Sequence, residues 1–154
     1  MDKRETVVEN DTLRKYNYST QDIDNSDLKA VQLTLRNANI SRGPKVFEFE
    51  EKIKSLTKAK YVIGVNSGTS ALIAALKSLS LKENSTVIVP NITFVASANS
   101  ILLCNFNVKL IDVDENTGLL KIDDLKRYVK DKNVSCLINV HLNGNINNLK
   151  LISE

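Results

Sequence analysis

Apolar positions recur along this chain in two rhythms, and the change falls near residue 61. Before it, Leu28, Val31, Leu35 and Ala38 follow an i, i+3, i+7, i+10 spacing. That is one stripe on a helix, opened by Ser26 as its N-cap. Asn39-Ile40-Ser41-Arg42-Gly43 breaks the pattern. Pro44 suits the first turn of a second helix, where its missing N–H would be unpaired in any case. Val46, Phe49, Ile53 and Leu56 repeat the stripe, with acids and lysines opposite. Residues 1–25 are polar and without sustained period, and read as an N-terminal arm.

From residue 61 short apolar runs alternate with helical stripes. Tyr61-Val62-Ile63-Gly64-Val65 reads as a first strand, and Ser70–Leu79 as the helix after it. Thr86–Val89 is a second strand, ended by Pro90. Thr93–Leu103 is a helix, and Val108–Val113 a third strand. Asp123 caps a helix carrying Leu125, Tyr128 and Val129. Cys136–Val140 is a fourth strand. This βαβαβαβ order predicts an α/β fold with a parallel sheet. The strands are continuously apolar, so both sheet faces are expected to be covered. Asn148 to Glu154 reads as the opening of a further helix. A pattern that stops inside an amphipathic helix predicts more chain after Glu154; a frayed terminal helix is the plainer alternative.

Composition narrows the function classes. The chain has 154 residues, 42% of them apolar and 25% charged, with a net charge of +3. That suits a globular domain with a real core. The charge is too mild to argue for nucleic acid. No apolar run approaches the roughly 18 residues of a membrane helix. Met1-Asp2-Lys3-Arg4-Glu5 is charged and has no apolar stretch behind it, so a cytoplasmic protein is expected. One histidine and two cysteines do not build a His/Cys zinc site unaided, and no metal is expected. Cys104 and Cys136 read as buried free thiols.

Three turns carry candidate chemistry. Val65-Asn66-Ser67-Gly68-Thr69-Ser70-Ala71 joins a strand to a helix. Free N–H groups at such a helix start, with the helix dipole, favour a phosphate. Gly68 allows close approach, and Thr69 and Ser70 offer hydroxyls. The third glycine of a dinucleotide fingerprint is absent, and so is the Gly-Lys-Ser/Thr of a P-loop. Phosphate binding and an ordinary capped turn both remain open on these residues. Pro90-Asn91-Ile92-Thr93-Phe94-Val95-Ala96 follows the next strand, on the same sheet edge. Phe94 either faces a ring there or packs in the core. Asn139-Val140-His141-Leu142-Asn143-Gly144 places the only histidine on that edge too. No serine or cysteine pairs His141 into a triad. Asp112 and Asp114 at the third strand's end read as turn formers or caps.

Taken together these motifs resemble the DegT/DnrJ/StrS family of nucleotide-sugar aminotransferases, pyridoxal-phosphate enzymes of fold type I. The resemblance runs from about Asn25 to Glu154. Gly43-Pro44 before Phe49-Glu50 is similar to the family's first G-P…F-E helix, and Tyr61–Leu72 to its strand and S-G-T-x-A-L turn. VIVPNITFVASA at 87–98 is similar to V-I-x-P-x-x-T-F-x-A-T-A. Leu110–Asp114 is similar to F-V-D-I-D, and Val140-His141-Leu142-x-Gly144 to V-H-L-x-G. Glu83-Asn84-Ser85 and Phe106-Asn107 depart from the family's Pro-Gly-Asp and Gly-Ala turns, which affects turns more than chemistry.

The resemblance implies a three-layer, mainly parallel sheet: the fold type I large domain, incomplete over 26–154. It implies that Gly68, Thr69 and Ser70 hold the phosphate of pyridoxal 5'-phosphate, that Phe94 stacks on its ring, and that His141 lies near it. In the family, the aspartate that pairs with the pyridine nitrogen and the Schiff-base lysine come later than the last motif matched here. The catalytic residues are therefore expected beyond the chain end, and no lysine of this chain is assigned. The implied reaction moves an amino group, from glutamate, to a nucleotide-linked keto sugar for polysaccharide, lipopolysaccharide or glycan synthesis. The implied assembly is a homodimer. A dehydratase of the same family and a non-catalytic phosphate- or nucleotide-binding module are the alternatives.

Overall fold

A computed structural model of the chain describes residues 20–36 and 39–153. Most of the expected N-terminal arm, the apolar position Ala38 and Glu154 lie outside the described residues. The chain divides into two compact units, Met1–Val62 and Ile63–Glu154.

The first unit holds two helices, α1 (Asn25–Leu35) and α2 (Pro44–Thr57). The N-cap of α1 is Asp24 and not Ser26 as the spacing suggested. The Asp24 carboxylate accepts from the N–H groups of Ser26 and Asp27, at 2.7 and 3.2 Å. Asp27 returns the favour by accepting from Asp24 N–H at 3.0 Å. This reciprocal box satisfies more end groups than a serine at 26 could. Ser26 contributes instead by donating its hydroxyl to Asp24. Pro44 opens α2, as its fixed φ favours. Gly43 precedes it because a Cβ there would run into the carbonyl of Asn39. No residue of α1 or α2 is buried: Leu28, Val31, Leu35, Val46, Phe49 and Leu56 stand exposed and Ile53 half-buried.

The second unit contains α3 (Gly68–Ser78), β1 (Thr86–Pro90), α4 (Ala96–Leu103), β2 (Asn107–Ile111), α5 (Ile122–Tyr128), β3 (Val134–Leu137) and α6 (Leu149–Ser153). The strands form one parallel sheet in the order β2-β1-β3. Successive residues of a strand face opposite sides, and the two cores follow that parity. Val87 and Val89 pack with Leu76 of α3 and Ile101 of α4. Ile88 packs with Ile111, Leu120 and Leu125 of α5, and Ile152 of α6 lies against them. Helices therefore cover both faces, which gives three layers.

Several boundaries move from their expected places. The run 61–65 forms no strand among the described residues. An apolar run needs a neighbouring backbone edge before it becomes a strand, and Tyr61 and Ile63 stand 76% and 80% exposed. The sheet thus has three strands here, not four. The second strand includes Pro90 itself, whose register partner is Ile111. The third ends at Ile111, because Asp112 takes the Val113 N–H on its own carboxylate at 2.9 Å. Val113 then bridges antiparallel to Leu120. The fourth expected strand starts earlier, at Val134, and its pairing fades after Ile138 N–H donates to Ile88 O at 2.8 Å. Asp123 does not cap α5; Lys121 is the N-cap, without a side-chain bond. Asp123 and Asp124 sit in the first turn, where negative charge suits the helix dipole. Both cysteines are free thiols and half-buried, and burial pushes the Cys136 thiol up.

Candidate functional site

The candidate residues all fall in the second unit, on three chain segments. The first is the start of α3. Ser67 is its N-cap, and the hydroxyl oxygen accepts from Ser70 N–H at 3.1 Å. The Ala71 N–H closes the first helical bond on Ser67 O at 3.1 Å. The N–H groups of Gly68 and Thr69 find no acceptor among the described residues, as expected for a first turn. No acidic residue stands in that turn to compete with an anion. A Cβ placed on Gly68 would meet nothing within 4 Å, so the space beside Gly68 is open. Thr69 is half-buried, and its hydroxyl has no partner among the described residues. Ser70 differs: its hydroxyl donates to Asn66 Oδ1 at 2.7 Å and lies 3.0 Å from Ser67 Oγ.

The second segment, residues 91–95, follows β1 at the carboxyl edge of the sheet. Phe94 is 73% exposed there, so the described residues leave its ring uncovered. The turn is pinned at both ends. Asn91 donates its N–H to Ile111 O at 2.9 Å and its side-chain amide to Asp112 Oδ1 at 3.2 Å. Beyond the ring, the Thr93 and Ser97 hydroxyls lie 3.0 Å apart, and Ser97 N–H donates to Phe94 O at 2.9 Å. The Val113 N–H and then the Asn91 amide hold the Asp112 carboxyl below its ordinary range. Asp114 is likewise lowered, chiefly by the Thr117 hydroxyl. Both acids act as turn formers, in keeping with their place at a strand end.

The third segment follows β3, the strand beside β1, so it shares that carboxyl edge with the Phe94 turn. His141 is exposed and precedes a 3-10 turn, Leu142–Gly144. Its Nδ1 accepts from the N–H of Asn147 at 3.3 Å. Gly68, Thr69 and Ser70 sit on a different element, α3, which packs against α4, the helix that the Phe94 turn leads into. Sequence reasoning missed Asn66, Asn91 and Asn147. Asn66 and Asn91 are flagged only by adjacency to the motifs, and Asn147 has no signal in a run of asparagines.

An anion fits the open helix start, and a flat ring fits the free face of Phe94. The model of the DegT/DnrJ/EryC1/StrS aminotransferase family matches residues 21–154. The spore coat polysaccharide biosynthesis protein SpsC of Bacillus subtilis is 34% identical over 128 residues, covering 82% of this chain and 32% of that protein. The UDP-4-amino-4,6-dideoxy-N-acetyl-beta-L-altrosamine transaminase of Campylobacter jejuni is 36% identical over 132 residues, 83% of this chain and 34% of that one. Among solved structures, the E. coli GDP-4-keto-6-deoxy-D-mannose-3-dehydratase with bound hydrated PLP superposes with a TM-score of 0.83 at 26% identity. It covers 90% of this chain and 37% of the dehydratase. The chain spans about a third of the length of the curated relatives it matches. Among the described residues, no helix is long and apolar enough to cross a membrane.

Proposed function

The chain belongs to the DegT/DnrJ/EryC1/StrS aminotransferase family, and from that membership we propose that it is the N-terminal part of a pyridoxal-phosphate enzyme acting on nucleotide-linked keto sugars. The amino donor in this reading is glutamate, and the product feeds polysaccharide, lipopolysaccharide or glycan synthesis. The enzyme works in the cytoplasm as a homodimer. Residues 1–25 form its arm, and 26–154 its share of the large domain.

Family membership over residues 21–154 carries the reading, and the start of α3 supports a phosphate there: open beside Gly68, free of acids, with the Gly68 and Thr69 N–H groups lacking an acceptor among the described residues. Gly68, Thr69 and Ser70 would hold the cofactor phosphate through those N–H groups and the Thr69 hydroxyl. Ser70 would turn its hydroxyl from Asn66 to do so, or else steady Asn66 and Ser67. Phe94 would lay its exposed ring on the pyridine, and His141 would stand beside it. When bound, the cofactor would supply an electron-accepting ring and an aldehyde carbon able to take up and pass on the amino group. The chain's own part is to bind, to orient and to keep the ring from tumbling.

The test uses the protein expressed from its full reading frame, with pyridoxal phosphate, 15N-glutamate and a nucleotide-linked 4-keto-6-deoxy sugar. Mass spectrometry should find 15N on the sugar. Loss of water with no nitrogen gained would establish the dehydratase reading instead. Phosphate binding with neither reaction would leave a binding module.

A further inference from the structure

Within residues 143–149 every residue is exposed except Asn147, which is 4% exposed. Burying a primary amide costs free energy unless its polar atoms are paired. Asn147 Nδ2 donates to Asn139 Oδ1 at 2.6 Å and to Val140 O at 2.9 Å. A carbonyl only accepts, so the amide nitrogen must be the group on that side. The main-chain N–H of Asn147 donates to His141 Nδ1 at 3.3 Å. A main-chain N–H only donates, so Nδ1 carries no proton and the neutral ring holds its proton on Nε2. Nε2 has no partner among the described residues, and the ring is exposed.

We propose that Asn147 is a positioning residue for His141. It fixes the imidazole as the Nε2–H tautomer and so presents a hydrogen-bond donor at the carboxyl edge of the sheet. The Asn147 side chain clips the chain back onto 139–140 and closes the exposed loop that begins at His141. Without that clip, the N–H at 147 moves with the loop and the ring samples both tautomers. The ligand group suited to such a donor is an acceptor oxygen of an anionic ligand. The clip stands on the hydrogen bonds alone; the choice of a pyridoxal-phosphate oxygen as that acceptor rests on the function proposed above.

The test uses 15N-labelled protein expressed from its full reading frame, with the His141 ring assigned by the signals that His141→Gln removes. Long-range 1H–15N NMR at a pH of about 8, above ordinary histidine titration, should show an unprotonated Nδ1 and a protonated Nε2. In Asn147→Ala the two nitrogen shifts should move toward each other as the tautomers average. Asn147→Ser keeps one donor and should fall between. Asn139→Ala leaves Asn147 in place and should shift the ring slightly in the same direction, which covers a failure of Asn147→Ala to fold. A protonated Nδ1 in the parent chain, or unchanged ring shifts in a folded Asn147→Ala, overturns the proposal.

The second arm adds pyridoxamine 5'-phosphate, which has no aldehyde to react with surface lysines. Nε2 should shift on binding, and Asn147→Ala should weaken affinity about three- to tenfold, the loss of one ordinary hydrogen bond. If the parent shows the expected tautomer but takes no ligand, the proposed function fails and the clip stands. If ligand binds with Nε2 unmoved and equal affinity in Asn147→Ala, the donor role fails and the function stands.

Discussion

Residues 87–90 and 91–95 are consecutive, yet they meet opposite environments. Val87, Ile88 and Val89 are 0% exposed. A few residues on, Ile92, Phe94 and Val95 are all exposed, Phe94 by 73%. The difference is not apolarity, since both stretches are apolar. It is cover: α3 and α4 close one face of β1 and α5 the other, whereas the turn projects past the edge of the sheet. Layering decides burial, and an aromatic ring that the layers leave out is available to a ligand. The strand holds the fold, and the turn beside it is free to bind.

The sharpest way to break this division is to hollow out the strand. Ile88→Ala removes a fully buried side chain that touches the α5 side of the core. It should cost about 2–5 kcal/mol, read as a lower denaturation midpoint with an unchanged slope. A loss under about 1 kcal/mol would mean that β1 is not the centre of the core. Next in size is Ser67→Ala, which strips the N-cap of α3. Its expected cost is about 1 kcal/mol. It lies between the two regions in character, because the same residue orders the helix end and the candidate phosphate cradle.

Substitutions in the binding region should reverse the pattern, with little change in stability and a clear change in affinity. Phe94→Ala should alter stability by no more than about 0.5 kcal/mol. Its affinity for pyridoxamine 5'-phosphate should fall about two- to tenfold, by loss of ring–ring contact. Gly68→Ala is the finer probe. The added methyl meets no protein atom within 4 Å, and alanine is the better helix former. Thermal stability should be unchanged or slightly raised, while calorimetry should show weaker binding of the phosphate. If Gly68→Ala binds as the parent does, the open space over α3 is not where the phosphate sits.

The division also explains what the sequence could and could not tell. The run Val87-Ile88-Val89 marks a covered strand by local composition, and Pro44 and the stripe after it mark α2. These signals are local, and they hold. Residues 61–65 look equally strand-like, but a strand depends on a neighbour that its own sequence does not encode. Asp24 and Ser26 are both good N-caps, and only three-dimensional reach decides that one carboxylate serves two N–H groups. Phe94 could not be assigned to core or ligand from periodicity, because its exposure depends on where the sheet ends. The role proposed for it rests on the family resemblance. Asn147 is the hardest case: one amide among many asparagines, distinguished by burial alone.

The smallest effect expected separates the two regions by acid. Asp112 is exposed, and it holds the Phe94 turn by accepting from the Asn91 amide. Its folded carboxyl lies below the ordinary 3.8, first because of the Val113 N–H and then because of Asn91. A carboxyl lowered by folding stabilises the folded form above its unfolded pKa and loses that contribution as pH falls through the folded value. Protonation also turns one oxygen into a donor and weakens its hold on Asn91. The strand has no titratable side chain, since Thr86–Pro90 reads TVIVP. Below a pH of about 4, protection from amide exchange, taken relative to the intrinsic rate at each pH, should therefore fall at 91–95 before it falls at 87–89. In Asp112→Asn that early acid-induced loss of protection should vanish, since no carboxyl is left to titrate at 112. If the strand and the turn instead loosen together in the parent chain, the two regions are one cooperative unit, and the separation of fold from binding does not extend to their dynamics.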